Sequence, residues 1–285
     1  MEWVGRFNQA MEYIEEHITE ETDYEALGRI VCCSAYQFQR MFAFMSDIPL
    51  SEYIRRRKMS LAAVDLQRGR RIIDIALKYG YSSPTAFTRA FCTVHGMAPS
   101  RAKQEGVMLK TYPPLSFKLV VKGTEELNYR IERRDCFRVA GISRVLARDM
   151  EENFKTVPDM WDRAVMDGTI DRMFSIMDRE PGGLLGLTAC GSREVWKYYI
   201  AVPTTRTGHG FEEYTIPSSM WAIFPGEGTN RTLQDLERRV VTEWLPNSGY
   251  EYGTAPDVEL YIHADPDHAQ YEYWLPVTVG KERPI

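Results

Sequence analysis

No stretch of this 285-residue chain approaches the run of roughly 18 apolar residues that a membrane-spanning helix needs. Its start, MEWVGRFNQAMEYIEEHITEE, is acidic and amphipathic, without the basic opening and apolar core of a secretory signal. A cytoplasmic protein with no membrane partner is expected. Cysteine is scarce: Cys32, Cys33, Cys92, Cys136 and Cys190 form no CxxC pair, and their odd number offers no disulfide framework. They read as small, reduced apolar residues. The five histidines are no more suggestive. HADPDH, which holds His263, Asp265, Asp267 and His268, reads as a turn between strands rather than a metal site. PGGLLGL, residues 181–187, lacks the strand-to-helix context of a nucleotide loop, and no Ser-His-Asp or Cys-His order has supporting context. No cofactor and no catalytic residue are implied. What remains is 44% hydrophobic and 26% charged, the composition of a soluble globular chain long enough for two domains.

The charge is unevenly spread. Residues 29–103 carry thirteen Lys and Arg against only Asp47, Glu52, Asp65 and Asp74, whereas residues 1–28 carry one Arg against eight acids. A basic segment in an acidic chain points to contact with a polyanion. The same segment writes one pattern twice, Ser-x3-Phe-x-Arg-x-Phe, in SAYQFQRMF from Ser34 and in SPTAFTRAF from Ser83. Val4, Phe7, Met11, Ile14 and Ile18 mark an amphipathic first helix. A short helix over 23–31 follows, with Thr22 as its N-cap. Ser34 caps the next, which buries Phe38 and Phe42. Pro49 opens a long helix over about 50–67. Then the arrangement recurs: a short helix over 72–79 ended by Gly80, a helix capped by Ser82 or Ser83 with Pro84 in its first turn, and an end at Gly96. Two helix-turn-helix units therefore flank a spacer about 27 Å long at 1.5 Å per residue. Successive major grooves on one face of DNA are about 34 Å apart. Such a chain reads two turns of duplex as a monomer; the bland alternative is a helical bundle that binds no DNA.

DIALKYGYSSPTAFTRAFCTVHGMAPSRAK, residues 74–103, resembles the signature of the AraC/XylS transcription regulators through Ile75-Ala76, Gly80-Tyr81, Ser83, Phe87, Arg89, Phe91, Gly96, Pro99 and Arg101. SAYQFQRMF with PLSEYIRRRKMSLAAVDL resembles the upstream half of the same domain. The resemblance implies double-stranded DNA as partner, with Tyr36, Gln37, Gln39 and Arg40 on the first reading helix and Thr85, Ala86 and Arg89 on the second. Arg can donate bidentately to guanine, Gln can pair with adenine, and Ala or a Thr methyl can touch thymine. Arg55, Arg56, Arg57 and Lys58 are expected on phosphates or on a solvated face. Where the family usually has Gly, this chain has Cys32 and Asp47, so differently shaped turns are expected there.

Near residue 108 the character changes, and a domain boundary is placed there. Pro113-Pro114 ends helical pattern, SFKLVV reads as a strand, and the rest alternates as strand-helix-strand-strand, twice: an α+β domain with helices on one side of a sheet. Residues 109–285 hold Trp161, Trp196, Trp221, Trp244 and Trp274. Phe137-Arg138-Val139-Ala140-Gly141, Pro158 with Trp161, Tyr198-Tyr199, Ile216-Pro217, residues 244–251, Pro256-Asp257-Val258-Glu259-Leu260-Tyr261 and Trp274-Leu275-Pro276-Val277 together resemble the GyrI-like (SHS2-type) effector-binding domain. The order of the two domains is the Rob-like one. The family implies a ligand sensor, in some members a multidrug sensor with a carboxylate among aromatics.

In VELYIH, Val258, Leu260 and Ile262 share one strand face, and Glu259, Tyr261 and His263 the other. If helices cover the apolar face, Glu259 and Tyr261 look into the opposite, concave side. A carboxylate there is costly to bury unless paired, and a cationic ligand with aromatic neighbours would pair it. The candidate ligand set is Glu259, Tyr261, Trp161, Tyr198, Trp221 and Trp274. Trp244 reads as core, and Glu243, Glu251 and Glu272 as solvated. The leading reading is a one-component bacterial transcription regulator, acting on the nucleoid, that senses a small amphipathic, cationic molecule and has RNA polymerase as a further partner. Two rivals stand beside it. In one, Glu259 and Tyr261 activate water and hydrolyse the ligand; in the other, the second domain is a protein-interaction module.

Overall fold

The structure, a computed structural model, describes residues 2–117, 126–147, 150–190, 195–263 and 268–279. The chain divides into two compact units, Met1–Leu119 and Val120–Ile285. Residues 109–117 therefore belong with the first unit, past the boundary expected near 108. They form neither helix nor strand and pair in no sheet, and the remainder of the expected SFKLVV strand lies outside the described residues. So do Asp265 and Asp267 of the HADPDH turn. Among the described residues no cluster of His, Cys, Asp and Glu could hold a metal, and no helix is long and apolar enough to cross a membrane.

The first unit is helical: α1 (Glu2–Glu16), α2 (Tyr24–Val31), α3 (Ala35–Ser46), α4 (Leu50–Gln67), α5 (Ile72–Lys78) and α6 (Pro84–His95). Each start has its chemical cause. Asp23, not Thr22, caps α2, accepting from the Ala26 N–H at 2.9 Å. Ser34 and Gln37 form a reciprocal capping box on α3. Ser83 caps α6 and Pro84 supplies its first residue. The paired phenylalanines of the repeated pattern, Phe38 with Phe42 and Phe87 with Phe91, are fully buried. Cys32 and Asp47 both take left-handed backbone, φ 61 and 58, so the turns keep the glycine geometry without glycine. Each pays about 1 kcal/mol of steric strain for it. Gly28 is the glycine the first turn requires, because an added Cβ would sit 2.7 Å from the Cys33 carbonyl oxygen.

Helix α4 is the spine. Arg57, expected on phosphate or a solvated face, is instead buried, with Nη2 2.6 Å and Nε 2.8 Å from the two carboxylate oxygens of Glu15 on α1. The Tyr53 hydroxyl donates to the same carboxylate at 2.7 Å. Burial alone would raise the Glu15 pKa, but these donors outweigh it and hold the carboxyl below its ordinary value. Arg55 and Arg56 both pair with Glu52 on their own helix. At the end of α6, His95 is buried with its Nδ1 accepting from the Lys110 N–H at 3.3 Å. Its Nε2–H therefore donates to the Met59 carbonyl at 3.1 Å.

The second unit is one antiparallel sheet with helices. Its elements are β1 (Arg130–Arg134), β2 (Phe137–Val145), α7 (Met150–Met166), α8 (Thr169–Phe174), β3 (Leu184–Cys190), β4 (Trp196–Pro203), β5 (Glu212–Ile216), β6 (Ser219–Gly228), α9 (Asn230–Arg239), α10 (Leu245–Ser248), β7 (Tyr250–Tyr252), β8 (Val258–His263) and β9 (Ala269–Val279). A π-helical turn, Val240–Trp244, joins α9 to α10. Strand order is β1-β6-β9-β8-β3-β4-β2-β5, with β7 also on β9. The expected repeat is present: β2-α7-β3-β4 and β6-α9-β8-β9, joined along β3 and β8.

Two connections bend this sheet. Only Asp135 and Cys136 separate β1 from β2, and only Pro217 and Ser218 separate β5 from β6, yet each pair lies six strand steps apart. In a flat sheet six steps span about 29 Å. Three Cα–Cα links reach about 11 Å at most. The sheet therefore curls, closing its inner face over a cluster made of strand residues and Ala255, among them Leu185, Leu187, Tyr199, Trp221, Ile223, Val258, Leu260 and Trp274. Helix α9 packs on the outer face, where Leu233 joins a buried cluster with Ala222, Phe224, Tyr271, Tyr273 and Leu275.

Burial and the cation of Lys110 depress the His95 pKa below its ordinary 6.5, against the opposing pull of the Met59 carbonyl. A base whose pKa is lower in the folded state leaves the unfolded chain to take the proton first. Stability is then full above pH about 6.5 and falls as the pH drops below it. Urea unfolding followed by helical circular dichroism at pH 7.5 and 5.5 is expected to show a lower midpoint at 5.5, with a smaller drop in His95→Gln. Equal drops in both proteins would contradict this.

Candidate DNA-reading helices and effector site

Helices α3 and α6 each follow a tight turn; α6 exposes residues along one side, whereas every residue of α3 is buried or half-buried. On α6, Thr85 and Arg89 are exposed and Ala86 is half-buried. On α3, Tyr36 and Arg40 are half-buried, and the Arg40 guanidinium lies 5.4 Å from the centre of the Phe44 ring. Gln37 and Gln39 differ from expectation. Gln37 is 8% exposed and its side-chain oxygen accepts the Ser34 N–H at 2.9 Å, so it is a capping residue. Gln39 is 6% exposed, which leaves little of its amide for a base edge.

In the second unit, four of the six expected ligand residues meet. Strand register sets Glu259 of β8 beside Gly186 of β3, and Tyr261 beside Leu184. Tyr198 enters from β4, opposite Thr188. The hydroxyls of Tyr198 and Tyr261 both donate to Oε2 of Glu259 at 3.3 Å. Trp161 of α7 donates its Nε1–H to the Tyr198 oxygen at 3.0 Å, and its ring meets that of Tyr261 edge-on at 5.2 Å. Gly186 is the floor: a Cβ there would stand 2.3 Å from the Tyr198 hydroxyl, 3.0 Å from Glu259 Oε2 and 3.3 Å from Trp161. The result is a half-buried carboxylate walled by three aromatic rings over a strand glycine. An acceptor-only carboxylate among π faces suits a cation that also presents apolar surface.

Trp221 and Trp274 are not part of this group. Both are fully buried on the inner face, packed on each other at 5.8 Å, whereas Glu259 and Tyr261 lie on the outer, helix-bearing face. The expectation that Glu259 faces away from the helices is reversed for the same reason: Val258 and Leu260 take the inner face. Trp274 donates to Glu272 at 2.8 Å and is stacked by the Arg134 guanidinium at 4.4 Å. Glu272, expected in solvent, pairs with Arg130 at 2.8 Å, and Glu243 with Arg239 at 3.2 Å. Trp244 is half-buried among Tyr129, Phe224 and Tyr250, in line with a packing role. Gly186 was missed; an isolated glycine inside a strand pattern, as in LLGLTA, is the signal that marks close approach.

Comparison with known proteins agrees with this division. The family of integron-associated effector binding proteins (Cass2) matches residues 130–277, and a helix-turn-helix family matches residues 27–105. The regulatory protein SoxS of Salmonella typhimurium is 37% identical over 91 residues, which are 32% of this chain and 85% of SoxS. The transcriptional activator AarP of Providencia stuartii is 33% identical over 94 residues, 33% of this chain and 70% of AarP. Similar solved structures include SAV2435 bound to tetraphenylphosphonium (21% identity, 53% of this chain, 94% of that chain, TM-score 0.47) and the Vibrio cholerae integron cassette protein VCH_CASS2 (16%, 53%, 95%, 0.40). With its reading helices in the first unit and the carboxylate site in the second, this chain belongs to the AraC-type transcription regulators and carries an effector-binding domain of the Cass2 family.

Proposed function

We propose that the chain is a one-component regulator that binds an asymmetric DNA site as a monomer and senses a small amphipathic cation at Glu259. The observation that carries the ligand class is the Glu259 carboxylate held by two phenols beside Trp161, packed over Gly186 where no side chain fits. Tyr198 and Tyr261 orient the carboxylate, and Trp161 with Tyr261 supplies the π faces. On DNA, Arg40 and Tyr36 serve the first groove, and Thr85, Ala86 and Arg89 the second. Effector binding alters promoter output by favouring one state of the regulator over another, in the bacterial cytoplasm and with RNA polymerase as the downstream contact.

Two experiments test this. Native mass spectrometry of the full chain with tetraphenylphosphonium is expected to show a one-to-one complex and an unaltered released compound. Glu259→Gln is expected to weaken it at least about tenfold, the equivalent of about 1.4 kcal/mol, while neutral triphenylphosphine oxide binds both proteins alike. Equal binding of the cation by Glu259→Gln would remove the carboxylate from recognition, and a chemically altered product would favour hydrolysis. For DNA, Arg40→Ala is expected to cost about 1–3 kcal/mol and relax preference at one base position in a selected site. An equal loss on specific and random duplex would make Arg40 a phosphate contact.

A further inference from the structure

Residues 109–117 do more than join two units. They form neither helix nor strand, and Pro113 and Pro114 lack the N–H groups that a sheet strand would use. Their polar contacts are made instead with the helical unit, at four successive places. The Lys110 N–H donates to His95, the last residue of α6. The Tyr112 N–H donates to the Ser60 hydroxyl of α4 at 2.9 Å, and the Tyr112 carbonyl accepts from Arg57. The Leu115 N–H donates to the Tyr53 hydroxyl at 3.2 Å. Phe117 closes the series with two bonds to Asn8 of α1, its N–H donating at 2.7 Å and its carbonyl accepting at 3.0 Å. Apolar contacts follow the same line. Leu109 and Tyr112 pack on the core beneath α5 and α6, and the Phe117 ring meets Phe7 and Phe42 edge-on at 5.6 and 6.0 Å.

The two ends of this segment thus touch the two reading helices themselves, α6 through His95 and α3 through Phe42. The middle is bolted to the spacer α4. Between the two helix-turn-helix pairs, direct packing of α3 and α6 on α4 is what would otherwise set their mutual angle. A second, independent tie across the same span removes the remaining freedom of one reading helix to tilt against the other.

We infer that residues 109–117 are a strap that fixes the angle and separation of the two reading helices, making Asn8, Ser60, His95 and Phe117 positioning residues for DNA recognition although none lies on the DNA-reading flank. This inference rests on DNA reading by both helices and not on the identity of any effector. Two helices held at one angle accept one spacing of their base contacts. A base pair added between the contacts moves them about 3.4 Å along the duplex, and a strapped protein cannot follow. A protein with the strap released can.

The test uses the full-length chain. A duplex is selected from a random library by the unaltered protein, then remade with one base pair inserted or removed between the two protected regions. Affinity is measured on all three duplexes for the unaltered chain, Asn8→Ala, and Asn8→Ala with Phe117→Ala. Phe117→Leu serves as the conservative rescue, and Ile14→Val, a core change in α1 away from the strap, as the control for general destabilisation. The ratio of affinities for the selected and respaced duplexes is expected to fall at least about threefold in the released variants, a coupling of ordinary size for contacting residues, and to persist in Phe117→Leu and Ile14→Val. If Asn8→Ala and the double variant keep the ratio, or lose affinity equally on all three duplexes, the strap is packing only and the inference fails. Should the double variant prove unfolded by circular dichroism, the single Asn8→Ala decides the matter alone.

Discussion

Two connections of two residues each govern the second unit. Asp135-Cys136 and Pro217-Ser218 tie together strands that stand six places apart in the order of the sheet. No flat sheet can satisfy them, so the sheet curls and one face becomes a buried interior. That interior takes Trp221, Trp274, Leu185, Leu187, Val258 and Leu260, the large side chains whose burial supplies most of the driving force. The carboxylate of Glu259 has the opposite parity on β8 and is thereby sent to the outer face, among the helices. Its partners arrive by the same rule: Gly186 and Tyr198 through register, Tyr261 two residues along the same strand, and Trp161 from α7. The site lies on the seam of β3 and β8, where the two repeats meet.

The first unit obeys a different constraint. Two helix-turn-helix pairs share the spacer α4, and that helix is held on several sides. The Glu15–Arg57–Tyr53 group does this from α1, His95 does it from α6, and residues 109–117 do it along the length. Removing one partner of a fully buried ion pair costs about 3–5 kcal/mol. The cost for Arg57 is smaller, since the Glu15 side chain keeps 20% of its surface. The basic run RRRK, residues 55–58, which reads as a DNA-facing patch, is spent largely on internal pairing.

Local chemistry was readable from the sequence and long-range chemistry was not. Ser34, Ser83, Pro84, Gly80 and Gly96 announce helix ends because caps and left-handed turns act within three residues. The N-cap of α2 slipped from Thr22 to Asp23 because both residue types accept from the same N–H groups. Alternation correctly grouped Glu259 with Tyr261. It could not say which face was inside, since both faces of the sheet carry aromatics and the deciding connections lie between distant strands. For that reason the sequence places Trp221 and Trp274 with the ligand, whereas both are buried inside. Nothing local marks the bonds between Asn8 and Phe117, which are 109 positions apart, and a capping glutamine such as Gln37 looks like a DNA-contacting one in a recognition-helix pattern.

A cation at Glu259 is expected to change how the first unit holds DNA. The most direct measurement is the affinity of the full chain for its selected duplex with and without saturating tetraphenylphosphonium, in the unaltered protein and in Glu259→Gln. Linkage requires that a ligand which shifts DNA affinity be shifted by DNA to the same degree. A change in DNA affinity of about 5-fold or more is expected in the unaltered chain, matched by an equal change in cation affinity when DNA is present, with no change in Glu259→Gln. An unchanged DNA affinity with the cation demonstrably bound, or the same change in both proteins, would contradict it.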